Sequence, residues 1–339
     1  MIKEAINKVI NREELSFEET YTAINRIMSG QVSSSQMAAF LTGLAMKGET
    51  EEEISGSAAA MRDDAVSVEV NMDTLDIVGT GGDKSNSFNI SSTAALVIAA
   101  AGMPVSKHGN RSASSKSGAA DCLEALGINL AQSPQKAKHL LEEIGICFLF
   151  AQNYHTSMKH VGPVRQDLGI RTVFNLLGPI TNPARPKYQM LGVYKEELIE
   201  PMAKVIKNLG VERGIVVFGQ DVMDEISISA PTSALLFDGD HEERMTIHPE
   251  DYGFKLAQKA DIVGGTPQEN ARITRDILAG KERGPRRDII LLNAGTGLYI
   301  SRKAGSIQEG IKIAEEAIDS GQAQKVLERY IRLSQEEAA

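Results

Sequence analysis

The chain has 339 residues, 42% of them hydrophobic and 24% charged, with a formal net charge of −9. That is the composition of a globular protein with room for two domains or one large domain with an appendage, and the acidic balance argues against general nucleic-acid binding. No apolar run approaches the ~20 residues that span a bilayer, so no membrane partner is expected.

The amino terminus, Met1-Ile-Lys-Glu-Ala-Ile-Asn-Lys8, starts a mixed-charge helix and does not have the form of a signal peptide. Residues 1–65 read as helices only. Capping boxes mark three starts: Ser16 with Glu19, Ser33 with Gln36 and Thr50 with Glu53. Met37, Phe40, Leu41 and Leu44 recur at helical spacing between them. The reading is a small domain of four or so helices whose apolar faces are either its own core or a dimer surface; periodicity does not separate the two.

From about residue 72 strands alternate with helices, which predicts a mostly parallel sheet covered by helices. Leu75–Val78 is a strand candidate. It breaks into Gly79, Gly81 and Gly82, and Asn89-Ile-Ser-Ser92 then caps a helix running to Ala101 before Gly102. Glycines allow close approach to a phosphate, and a helix start offers unpaired N–H groups. The sequence is neither a Walker A loop nor a GxGxxG fingerprint. Met103–Lys107 is a strand, Lys116–Leu126 a helix stopped by Gly127, Ile128–Leu130 a short strand, Pro134–Ile144 a helix and Ile146–Phe150 a buried strand. Residues 153–187 interrupt the rhythm with short helices that leave the sheet and return. Strands resume at Gln189–Tyr194 and Gly214–Phe218, with the helix Glu196–Leu209 between them. Asp224–Ser229 and two further strand candidates, Ala234–Phe237 and Arg244–Ile247, follow, and Pro267–Leu333 is helical. Cys122 and Cys147 lie in apolar stretches and read as reduced core thiols of a cytoplasmic protein.

Three further stretches carry candidate chemistry. Lys107-His-Gly-Asn-Arg-Ser-Ala-Ser-Ser115 mixes two cations, an amide, an imidazole and three hydroxyls at the C-terminal end of a strand, where open α/β sheets bind ligands. It lies in residues 101–175, which hold eight Lys and Arg against five Asp and Glu; a phosphate-binding loop is the preferred reading. Asp224-Glu225 offers adjacent carboxylates for Mg²⁺, although 45 acidic residues make a solvated acidic turn the simpler reading of that pair alone. Arg165 offers a guanidinium fork suited to a carboxylate. No Ser/His/Asp set and no clustered metal-ligand spacing points to covalent or zinc chemistry.

Taken together, Gly79-Thr-Gly-Gly-Asp83, Asn89-Ile-Ser-Ser92, Lys107-His-Gly-Asn-Arg111 with Ser114-Ser115, Arg171-Thr-Val-Phe-Asn-Leu-Leu-Gly-Pro179 and Asp224-Glu225 resemble anthranilate phosphoribosyltransferase, in order and over essentially the whole chain. The resemblance implies a homodimeric cytoplasmic enzyme of tryptophan biosynthesis that joins anthranilate to 5-phosphoribosyl diphosphate (PRPP). It implies the nucleoside phosphorylase/phosphoribosyltransferase type of α/β fold. A helical domain over residues 1–70 would be joined by a returning segment near 165–187, and the α/β domain would span 71–339. It also implies Mg²⁺, two ions by expectation, and a dimer through the amino-terminal helices.

Carried over by position, Gly79, Gly82, Asp83, Ser87, Asn89, Ile90, Ser91 and Ser92 resemble one half of a PRPP site. Lys107, His108, Gly109, Asn110, Arg111, Ser112, Ala113, Ser114 and Ser115 resemble the other. Ser91, Asp224 and Glu225 resemble the metal ligands. Gly79, His108, Asn110 and Arg165 resemble anthranilate contacts, with Ala151, His155, Met158, Gly178 and Pro179 at the mouth. No acid or base is implied. Ser87 replaces the usual Thr, Ala119 the usual Ser and Gln152 a common Pro. A pyrimidine nucleoside phosphorylase of the same fold and a non-enzymatic nucleic-acid-binding relative are the alternatives.

Overall fold

The computed structural model describes residues 2–112 and 116–336. Four helices come first: α1 (Ile2–Ile10), α2 (Phe17–Met28), α3 (Ser34–Lys47) and α4 (Glu51–Asp64). All three expected capping boxes form, satisfying amides that a helix start leaves without partners. The third does more than cap. The fully buried Glu53 carboxylate accepts from Thr50 N at 2.8 Å, from Leu15 N at 2.9 Å and from Lys47 Nζ at 2.9 Å, and so ties two connections to the start of α4.

The sheet begins with β1 (Leu75–Gly79), followed by α5 (Ile90–Ala100), β2 (Val105–Gly109), α6 (Ala119–Ala125), α7 (Pro134–Ile144) and β3 (Ile146–Phe150). The chain then leaves through α8 (Ala151–Tyr154), α9 (Met158–Leu168), α10 (Phe174–Leu177) and a 3₁₀ turn at Gly178–Ile180. It returns as β4 (Tyr188–Gly192), α11 (Ile199–Asn208), β5 (Arg213–Gly219), β6 (Thr232–Asp238) and β7 (His241–Ile247). Four helices close the described chain: α12 (Pro267–Leu278), α13 (Pro285–Ile300), α14 (Ile307–Asp319) and α15 (Gln322–Gln335). The order is β3-β2-β1-β4-β5-β6-β7. The first five are parallel, and β6 and β7 extend the sheet antiparallel. Strand order reverses about β1, so the C-terminal ends of β1, β2 and β4 open on one crevice, the usual ligand position in such sheets.

Alternation along the strands builds two cores. Met190, Ile215 and Val217 face α5 and the C-terminal helices, while Leu191 and Val216 face α11 and the amino-terminal helices. Val161, Phe174 and Leu177 of the returning segment join the second core, and α9 packs on α2 and α3.

Two expected strands do not form. Ile128–Leu130 is irregular because its amides are already engaged: Ile128 N closes the end of α6 on Leu123 O at 3.0 Å, and Asn129 N donates to Ser334 Oγ at 3.0 Å. Asp224–Ser229 is irregular for the same kind of reason. The Asn293 side chain brackets Ile226, accepting its N–H at 3.1 Å and donating to its carbonyl at 2.8 Å, and Ser227 N donates to Thr232 Oγ1 at 3.0 Å. The Lys116–Leu126 helix starts later than expected, at Ala119, where Asp121 accepts from Gly118 N at 2.9 Å.

Candidate active site

The glycine turn after β1 meets the Asp224-Glu225 segment across the crevice. Gly79 and Gly192, at the ends of the paired strands β1 and β4, are glycines because Asp224 lies against both. A Cβ at Gly79 would overlap the Asp224 carboxylate, and one at Gly192 would fall on the Asp224 carbonyl. Gly81 N donates to Asp224 Oδ2 at 2.6 Å, and Ser91 N, in the first turn of α5, donates to Glu225 Oε1 at 3.2 Å. From β2, Lys107 Nζ reaches Ile77 O at 2.5 Å and Ser91 Oγ at 3.2 Å.

Burial dominates the electrostatics of the site. Burial, then the neighbouring Asp83 and Glu225 charges, raises the Asp224 carboxyl well above its ordinary range. Burial raises Glu225 to about 7, against the opposing pull of Lys107. Burial also lowers Lys107, with Asp76, Glu225 and Asp224 pulling it back up. Asp83 Oδ2 is buried without a hydrogen-bond partner. Beneath the site, the fully buried Asp76 accepts from His108 N at 3.2 Å and from Asn182 Nδ2 at 2.7 Å; burial raises it to about 6.

The structure brings a second group together behind β2. His108 and His155 lie with ring centroids 5.1 Å apart, and His108 Nδ1 is 3.0 Å from Gly178 O. Burial is the leading cause that pushes His108 well below its ordinary value and His155 to about 4. Pro179 and Ala151 belong to the same neighbourhood through their carbonyls, which accept from Gln189 Nε2 at 2.8 Å and His155 N at 2.9 Å. Gln152 Nε2 lies 3.5 Å from Asn110 Oδ1 at the rim. Met158 and Arg165 lie on α9, and the Arg165 guanidinium is 5.6 Å from the Phe174 ring centroid. Burial lowers Arg165, and no carboxylate among the described residues offsets it.

Other sequence candidates have different surroundings. Arg111 is exposed and spans Asp121 and Glu124, at 2.8 and 2.9 Å from Nη1. Ser112 N donates to Asp121 Oδ2 at 3.2 Å. Asn89 caps α5 by position, but its side chain does not cap. Its Oδ1 accepts from Asn270 Nδ2 at 2.9 Å and Ser117 Oγ at 3.2 Å. Ser87 bridges to Val263, Ile90 and Ser92 are buried, and Gly109 leaves room for the Phe148 ring. Ala119 packs beside Gly109. Ala113, Ser114 and Ser115 lie outside the described residues. Sequence reasoning missed Asp76, Asn182 and Asn270; a carboxylate inside the apolar run Leu75–Val78 was the available signal for the first.

Two family models match the chain: "Glycosyl transferase family, helical bundle domain" over residues 3–65 and "Glycosyl transferase family, a/b domain" over residues 71–324. The class is therefore a glycosyltransferase of this two-part build. Anthranilate phosphoribosyltransferases from Methanobrevibacter smithii and Lacticaseibacillus paracasei are 54% and 52% identical to it, each alignment covering 98% of both chains. The crystal structure of the Thermus thermophilus enzyme superposes with a TM-score of 0.92 at 43% identity, covering 98% of this chain and 99% of that one. The Saccharomyces cerevisiae enzyme in complex with PRPP and Mg superposes at 0.91 and 30% identity, over 98% and 97%. This chain belongs to the anthranilate phosphoribosyltransferase family and is a pentosyltransferase.

Proposed function

We propose that the crevice between the glycine turn and Asp224-Glu225 binds PRPP and that the protein transfers its phosphoribosyl group to anthranilate, giving N-(5-phosphoribosyl)anthranilate and pyrophosphate in tryptophan biosynthesis. The observation that carries this reading is the Asp224-Glu225 pair held against the glycine turn and the start of α5, with Lys107 as the cation beside them.

The donor set fits magnesium. Ser91, Asp224 and Glu225 would hold Mg²⁺, with two ions in the full complex. Among the described residues no three His, Cys, Asp or Glu side chains converge as a ready-made cage, which suits an ion that binds through one or two carboxylates plus substrate phosphates. Bound there, Mg²⁺ would neutralise charge on the departing pyrophosphate.

The chain's own residues bind and orient. The Gly82 and Asp83 amides of the Gly79–Asp83 turn, with Ser87, Asn89 and the Lys107–Ser115 loop, would supply donors to the phosphates, the Thr80 and Gly81 amides being held by Gly192 O and Asp224 Oδ2. Arg165, half-buried and without a carboxylate partner among the described residues, supplies a fork for the anthranilate carboxylate. His108, kept neutral by burial, and Asn110 flank the ring, and the His155–Gly178 side forms the mouth. The anthranilate nitrogen forms its bond to ribose C1 as the C1–O bond breaks, pyrophosphate leaves with the electron pair, and the amine sheds a proton afterwards. No residue is assigned as acid or base.

Residues 1–70 with the segment near 165–187 form the helical half of this reading and residues 71–339 the α/β half. The exposed Ile10, Phe17 and Met46 on α1–α3 support a homodimer through the amino-terminal helices. Both cysteines are buried and unpaired, which supports a reducing, cytoplasmic setting. No helix among the described residues is long and apolar enough to cross a membrane. Anthranilate fluorescence tests the reaction: it falls when PRPP and Mg²⁺ are both present, and fluorescence that stays constant would refute the reading.

A further inference from the structure

The glycine turn is tied on two sides by groups of opposite charge. On one side Asp224 takes the Gly81 amide at 2.6 Å. On the other, Arg171 Nη2 donates to the Gly82 carbonyl at 2.8 Å. The Arg171 guanidinium lies 3.8 Å from the centroid of the Tyr194 ring, close enough for a cation–π contact. Tyr194 lies two residues beyond the end of β4, whose Gly192 carbonyl accepts from Thr80 N at 2.9 Å. The far wall of the crevice therefore holds both the start of the turn and the arginine that grips its end.

Gly82 adopts φ +74°, and a Cβ there would collide with the Arg171 guanidinium. Gly81 shares that φ. Adjacent glycines carry more backbone freedom than any other pair, so a turn of this composition needs external ties to keep one conformation. A carbonyl facing a cation is the right polarity for one of them. Arg171 also adds positive charge at the rim of a carboxylate-rich crevice. It stands six residues after Arg165 in the returning segment, so the contact joins the anthranilate-side segment to the turn.

We propose that Arg171, braced on Tyr194 and bonded to the Gly82 carbonyl, is a positioning residue that sets the Gly81–Asp83 turn for the pyrophosphate end of PRPP. This rests on the reading of that turn as the PRPP site.

Steady-state kinetics on Arg171→Ala, Arg171→Lys and Tyr194→Leu, varying each substrate at fixed Mg²⁺, tests it. Loss of a charge-assisted bond to the turn raises the KM for PRPP about tenfold in Arg171→Ala. The KM for anthranilate moves less than about twofold. Arg171→Lys keeps a donor but loses the planar fork and lies between Ala and wild type. Tyr194→Leu leaves the arginine in place without its brace and raises the PRPP value in the same direction.

A PRPP value unchanged in Arg171→Ala overturns the proposal. So does a parallel rise for both substrates together with a lowered Tm, since that pattern is general loosening. Should Arg171→Ala fail to fold, unchanged PRPP values in both Arg171→Lys and Tyr194→Leu overturn it equally. The wild-type assay separates this failure from the failure of the underlying reading. A wild type that does not consume anthranilate with PRPP refutes the site itself, whereas an active wild type with an indifferent Arg171→Ala refutes only the role of Arg171.

Discussion

Asp224 lies so close to Gly79 that a single added methyl group on the glycine would overlap its carboxylate, and from that position its Oδ2 accepts from Gly81 N at 2.6 Å. The glycine turn and the acidic segment, nearly 150 residues apart in sequence, are in this way one unit. Gly79→Ala should push Asp224 from its place while leaving most of the fold intact. Misplacing one charge-stabilising group typically costs about a hundredfold in rate. The check is kcat at saturating substrates beside a thermal melt. A Gly79→Ala enzyme with wild-type kcat would mean that the Asp224 position is immaterial.

Arg165 and Lys107 differ in what their loss does. Among the described residues Arg165 has no carboxylate partner to leave unpaired, so Arg165→Ala should raise the KM for anthranilate, leave that for PRPP nearly unchanged, and reduce kcat/KM by about ten- to a hundredfold. Lys107 is buried with its Nζ on the Ile77 carbonyl and the Ser91 hydroxyl, and its removal leaves that carbonyl without the lysine donor. Lys107→Ala should therefore lower stability by about 1–3 kcal/mol in addition to weakening PRPP. Kinetics with each substrate varied, plus urea unfolding, distinguishes the two. A larger effect of Arg165→Ala on PRPP than on anthranilate would invert this map.

Stability should depend on pH through opposing groups. His155 is depressed from 6.5 to about 4, so its contribution is full above pH 6.5 and lost as pH falls toward 4. Asp76 is raised from 3.8 to about 6, so its contribution is full below pH 3.8 and lost as pH rises toward 6. The two partly cancel between pH 4 and 6. His155→Leu removes the first and should gain about 2 kcal/mol relative to wild type at pH 5, compared with pH 7.5. Urea unfolding at the two pH values measures the difference; an equal difference at both would show that His155 is not held neutral.

Local chemistry made much of the fold legible. Ser16, Ser33 and Thr50 announced three helices because a capping box is a short-range device. Pro134 and Gly145 bracketed α7 in the same way. Ile128–Leu130 looked like a strand because apolar residues were visible and the distant Ser334 hydroxyl that takes Asn129 N was not. The site divides likewise. Glycines, hydroxyls and paired carboxylates stood out by composition. The partners that fix them did not, because Asn270 on Asn89, Asp121 on Arg111 and Asp76 beside Lys107 are made by folding. Arg171 was visible as part of a motif; its grip on Gly82 was not.

The most direct test of the central claim, that the carboxylate pair and the glycine turn together take a metal-bearing pyrophosphate group, is titration calorimetry. PRPP would be added to the wild type and to the Asp224→Asn, Glu225→Gln double variant, each with and without Mg²⁺. The account predicts that Mg²⁺ tightens wild-type PRPP binding by about tenfold or more and that the variant, freed of its buried carboxylate charge, binds PRPP with little response to the metal. An equal Mg²⁺ response in both proteins would contradict it.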